Sequence, residues 1–218
     1  MHSKFAPHIL LVFALVLFSG CSPHTEGEPI ETNLPEKFCF LVVDIQNDFM
    51  AKDGKLPIEP KQSQNIINTI NRLLPVFDKN KIEIIYIGNE FKETDTIANW
   101  FRNKAAIEGT EGAKLAPDLN IINNNYFIKS SADAFSNKSF DKYLREKKIT
   151  KLIISGVFAD QCILSTVKGG LNRKYEIYVI SDGIGAKNDQ NIKKALKAYK
   201  KLKVNIITSE QIINKIKH

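Results

Sequence analysis

Histidine is scarce in this sequence of 218 residues, and its four copies are badly placed for chemistry. His2, His8, His24 and His218 lie near the two ends, so a core imidazole site for zinc cannot be assembled within one chain. No catalytic metal and no other cofactor are expected. Long hydrophobic runs are missing too. The apolar stretch at residues 9–18 is too short for a helix across a hydrocarbon core of about 30 Å. Acidic residues are in deficit, 24 against 31 Lys and Arg, which gives a formal charge of +7 and a pI near 9.2. That surplus is compatible with nucleic acid, an anionic membrane surface or plain solubility. No aromatic platform interleaves with the lysines, so a solvated face is the preferred reading and no nucleic-acid partner is expected. Repeats are absent.

What is present begins with a targeting signal. Lys4 precedes the apolar stretch, which leads into Phe18-Ser19-Gly20-Cys21, the outline of a secretory signal. This junction resembles the lipobox of bacterial lipoproteins, although Phe18 stands where leucine is usual. The resemblance implies a signal peptide over residues 1–20, lipidation of Cys21, and an exported protein held on a membrane by its N-terminal lipid. The alternative is a cleaved signal with an incidental cysteine. Residues 21–36 are polar and rich in Pro and Glu, with no period of helix or strand, and read as a flexible tether. Removing residues 1–20 takes away only Lys4, so the positive charge belongs to the folded part.

From residue 37 to 218 a single domain is expected, since 43% hydrophobic content over this length supports one substantial core. Short apolar runs alternate with longer helical patterns, the mark of α/β architecture. Continuous apolar runs at residues 38–43, 82–87, 125–128, 151–154, 177–180 and 204–207 predict six strands of a parallel sheet with helices on both faces. Residues 62–77, a segment around Phe140, Tyr143 and Leu144, a stretch after Cys162, and residues 189–203 carry helical spacing. Residues 90–117, with Trp100, form the one long irregular connection, and a loop of that length usually serves function.

Three reactive residue types fall just beyond predicted strand ends, where open parallel sheets bind ligands. Asp44 follows the first strand as a potential base, or else as a turn residue. Lys129 follows the third. Cys162 lies beyond the fourth, near the expected start of a helix whose dipole favours thiolate; a small buried cysteine is the bland alternative.

Val43-Asp44-Ile45-Gln46-Asn47-Asp48-Phe49, Lys129 with Phe135, and Gly156-Val157 with Cys162 resemble the pattern of isochorismatase-like cysteine hydrolases, among them nicotinamidases and N-carbamoyl amidases. The run at residues 109–113 matches a family segment as well. The resemblance implies a doubly wound six-stranded sheet and a cis peptide at Val157-Phe158. In the chemistry it implies, Cys162 attacks an amide-like carbonyl, Asp44 moves the proton, and Lys129 orients the pair and lowers the thiol pKa. It also implies an oxyanion hole from the backbone N–H groups of Phe158 and Cys162, and Phe49 and Trp100 at the substrate. Where many nicotinamidases carry an Asp-x-His metal element, this chain reads Gly88-Asn89-Glu90-Phe91-Lys92. Cys39 sits five residues before Asp44, about 16 Å along a strand, so Cys162 beside Asp44 lies beyond disulfide reach of Cys39. Two other readings stand beside the C–N hydrolase: a vinyl-ether hydrolase using Asp44 and Lys129, and a lipoprotein that only binds a small ligand. Homo-oligomers are common in the family, and the sequence adds nothing of its own on assembly.

Overall fold

The computed structural model describes residues 24–31 and 33–217; the expected signal and Cys21 lie outside these residues. Six strands form one sheet: β1 (Phe38–Val43), β2 (Glu83–Asn89), β3 (Tyr126–Lys129), β4 (Lys151–Val157), β5 (Glu176–Gly185) and β6 (Asn205–Ile207). Their order is β3-β2-β1-β4-β5-β6, and every pairing is parallel. The chain winds outward from β1 in one direction and from β4 in the other, so the order reverses between these two central strands.

The unbroken apolar run of β1 exists because both faces are covered. Phe40 and Val42 point into a core shared with α2 (Pro60–Lys79) and α7 (Ser209–Ile216), through Ile66, Ile70, Phe77 and Ile212. Cys39, Leu41 and Val43 point the other way, into a core with α4 (Lys138–Glu146), α5 (Leu164–Asn172) and α6 (Asp189–Lys201). Proline in the first turn of α2 gives up an N–H that a helix start leaves unpaired in any case. A reciprocal Thr208–Gln211 capping box starts α7. On α6, Ala195 and Tyr199 are buried while Lys193, Lys194, Lys197, Lys200 and Lys201 face solvent, the solvated arrangement expected of this lysine cluster.

Two expectations need correction. The long connection after β2 is not structureless: it holds a helical turn at Glu111–Ala113 and the short α3 (Thr96–Phe101), and isolated bridges tie Phe91 to Ile107 and Leu115 to Gln46. Here α1 is the single turn Asn47–Met50 that follows β1. The segment read as a flexible tether is, from residue 24, laid on the domain by specific bonds. Thr25 donates through its N–H and its hydroxyl to Asp133 Oδ2, at 2.7 and 2.8 Å. Arg173, only 3% exposed, donates to Thr25 O and Glu26 O, and its own carbonyl accepts from Ile30 N–H. Polarity without periodicity describes a strap as well as a tether; only the buried guanidinium waiting for carbonyls distinguishes them.

Candidate active site

The carboxyl edge of the sheet brings three residues together at the point where the strand order reverses. Asp44 is the first residue past β1 and is held at φ +57°, with its N–H bonded to Ile87 O at 2.8 Å. A left-handed conformation is uncommon for a non-glycine residue, and such strain is kept where the surroundings over-determine it. Lys129 is the last residue of β3, paired in register with Asn89 of β2, so both side chains leave the sheet on the α4–α5 side. Cys162 lies in a wide π-type turn, Ala159–Ile163, that runs straight into α5. The peptide entering this turn, Val157-Phe158, is cis, as the resemblance implied.

Lys129 Nζ donates to Asp44 Oδ2 at 3.0 Å, with both side chains fully buried, and also to Ser131 O at 3.1 Å. Asn89 Nδ2 donates to the same Asp44 oxygen at 2.8 Å and to Cys162 Sγ at 3.7 Å. Asp44 Oδ1 is buried and makes no hydrogen bond to the described residues, which leaves it free to take a proton. Burial raises the Asp44 pKa against the pull of Lys129, the thiol and Asn89. Burial lowers that of Lys129, but Asp44 and Cys162 outweigh it and the net direction is upward, so the ammonium stays charged.

The thiol behaves differently from expectation. Lys129 does lower its pKa, but burial is the largest influence and the Asp44 carboxylate adds to it, so Cys162 is pushed up to about 11. Cys162 does stand in the first turn of the helical run 159–172, as expected, but in its wide π-type part. Cys162 therefore rests as a neutral thiol, partly open to solvent, beside a carboxylate base.

Two residues at the site were not singled out from sequence. Gln46, fully buried, donates to Asn89 O (2.8 Å) and Ala113 O (2.5 Å) and accepts from Asn89 N–H (2.8 Å), stitching the end of β2 to the Glu111–Ala113 turn. Its place two residues after Asp44 was the available signal. Asn89 enters the sequence reading only as part of the stretch that lacks a histidine. Its amide holds Asp44, and Phe91, two residues on, packs into the core at 8% exposure. His24, the one described histidine, lies in the strap, and no three His, Cys, Asp or Glu side chains gather among the described residues. These residues do not fit the metal that the resemblance to nicotinamidases implies. Phe49 is buried edge-on against Phe158 at 5.5 Å, close to the π-type turn. Trp100, expected at the substrate, is 76% exposed on α3 and packs edge-on against its neighbour Phe101, because that six-residue helix turns its apolar side outward.

Comparison with known proteins agrees with this fold. The isochorismatase domain model matches residues 38–211. The chain is 27% identical over 157 residues to a probable inactive nicotinamidase of Arabidopsis thaliana, covering 67% of this chain and 79% of that protein. It is 24% identical over 183 residues to the ureidoacrylate amidohydrolase of Pseudomonas savastanoi pv. phaseolicola, covering 73% and 74%. An isochorismatase-like hydrolase from Alkaliphilus metalliredigens superposes with a TM-score of 0.75 at 23% identity, over 82% of this chain and 98% of the other. With the family's domain matched along most of its length and the reactive residues meeting at the sheet's switch point, the chain belongs to the isochorismatase family of hydrolases.

Proposed function

We propose that the protein is a cysteine hydrolase that cleaves a C–N bond of a small amide or carbamoyl compound through a thioester. The observation that carries this reading is the meeting of the buried Asp44–Lys129 pair with Cys162 at the carboxyl ends of β1, β3 and β4. On this reading Sγ adds to the carbonyl carbon as Asp44 Oδ1 takes the thiol proton, so no free thiolate need exist in the resting enzyme. The carbonyl oxygen becomes an oxyanion received by the N–H groups of Phe158 and Cys162, a contribution often worth about 3 kcal/mol. Collapse breaks the C–N bond, and Asp44 passes its proton to the departing nitrogen. Water then gives a proton to Asp44 and its oxygen to the acyl carbon; the acid leaves, and Sγ recovers the proton. Lys129 remains charged throughout and holds Asp44 in place. Phe49 and Phe158 wall the acyl side. The lack of any imidazole or carboxylate cluster beside Asn89 and Phe91 among the described residues supports a metal-independent reaction, and an amidohydrolase among the relatives supports C–N chemistry.

A second reading hydrolyses a vinyl ether with Asp44 as acid, favoured by the upward shift of its pKa. Replacing Cys162 by Ala separates them on a panel of primary amides, carbamoyl compounds and vinyl ethers. A C–N hydrolase loses turnover by about three orders of magnitude or more. Vinyl-ether turnover that survives the substitution assigns the chemistry to Asp44, and ligand binding without turnover in either protein assigns a binder. We also propose export and anchoring through lipid on Cys21; Cys21→Ser protein that stays in the membrane fraction refutes the anchor.

A further inference from the structure

Asn89 presents its amide nitrogen to both reactive partners at once. Nδ2 lies 2.8 Å from Asp44 Oδ2 and 3.7 Å from Cys162 Sγ, so its two hydrogens are both directed at the proton-transfer pair. The orientation of the amide is chemically determined, because the reverse would set Oδ1 against a buried carboxylate. The backbone on either side cannot drift: Gln46 binds the N–H and the C=O of Asn89, each at 2.8 Å, and the residue is 2% exposed. Lys129 reaches the same Asp44 oxygen from another direction, leaving Oδ1 as the open acceptor. Hydrogen bonds to a charged acceptor are stronger and shorter than those to a neutral one, so the Asn89 bond to sulfur strengthens when the thiol ionises.

The geometry points to Asn89 as a fourth catalytic residue, the donor that holds the Asp44 carboxylate ready and then stabilises the Cys162 thiolate as the proton crosses to Asp44 Oδ1. In this step the S–H bond breaks and an O–H bond forms, and Asn89 itself neither gains nor loses a proton. The inference rests on the cysteine-hydrolase reading above. It also gives position 89 a use that the Asp-x-His comparison hides: an isosteric aspartate there would bring a second carboxylate to the thiol in place of a donor.

The test is alkylation of the full-length protein with iodoacetamide across pH, with the label mapped to Cys162 by mass spectrometry, in the wild type and in Asn89→Leu, Asn89→Asp and Asp44→Asn. Loss of a donor to a charged group slows Cys162 alkylation at a given pH about ten- to a hundredfold and moves its midpoint up by about one unit or more in Asn89→Leu. Asn89→Asp, which keeps the side-chain volume and serves if the leucine variant does not fold, moves it further in the same direction. Midpoints equal to the wild type's in both variants, with unchanged melting temperatures, overturn the role of Asn89 while Asp44→Asn still alters the profile. A Cys162 profile indifferent to Asp44→Asn as well brings down the cysteine-hydrolase reading itself.

Discussion

At the scale of single residues, the site is costly to fold. Asp44 and Lys129 form an ion pair with no exposed side-chain surface, and desolvation of such a pair commonly cancels its attraction. Asp44 adds a left-handed backbone at φ +57°. Neither feature is explained by stability, and both are explained by the need to present a base to Sγ. The thiol makes a pH-dependent contribution with a definite sign. Its folded pKa, about 11, lies above its ordinary value of 9.0, so the stabilisation tied to the neutral thiol is complete below pH 9 and disappears as pH rises through 11. Denaturant unfolding of the wild type is therefore expected to lose stability more steeply between pH 9 and 11 than that of Cys162→Ser; equal slopes would mean that burial does not hold the proton on sulfur.

At the scale of elements, the strap and α3 make opposite demands. Residues 24–31 bind Arg173 and Asp133, and Asp133 in turn accepts the Phe135 N–H in the connection that follows Lys129. Deleting residues 1–31 exposes a buried guanidinium and removes both Thr25 donors from the Asp133 carboxylate, leaving it the Phe135 N–H, a loss of about 1–3 kcal/mol in unfolding free energy. A truncated protein with full-length stability would restore the tether description. By contrast, Trp100 and Phe101 on α3 are largely exposed and bury little. Trp100→Ala is expected to leave stability within about 0.5 kcal/mol, and if substrate does draw α3 inward, the same variant shows a raised KM with kcat little changed.

At the scale of the whole molecule, the sheet order decides where chemistry is possible. With β1 and β4 adjacent and their connections running to opposite sides, the loops after them diverge and leave a crevice, which Lys129 reaches from the edge strand β3. Much of this was legible in the residues themselves. Continuous apolar runs mark strands buried on both faces, and β1 falls at Phe38–Val43 as read. The alternation of runs with helical patterns marks the layers, and three reactive residue types at strand ends mark the site. Boundaries were less legible where apolar spacing ends before hydrogen bonding does: β4 continues through Ser155 and Gly156 to Val157, and β5 through Ser181 and Asp182 to Gly185.

What the sequence determined alone is local: which segments are apolar on one face or two, where charge is left on a solvated helix face, and which reactive side chains stand at strand ends. Tertiary structure decided what depends on partners far along the chain. Gln46 and Asn89 became parts of the site only when residues 43 apart came within hydrogen-bond reach. A polar N-terminal segment became a strap because a buried arginine required its carbonyls. The thiol stayed neutral because burial depends on everything packed around it, whereas the nearby positive charge that sequence could anticipate is a single opposing influence.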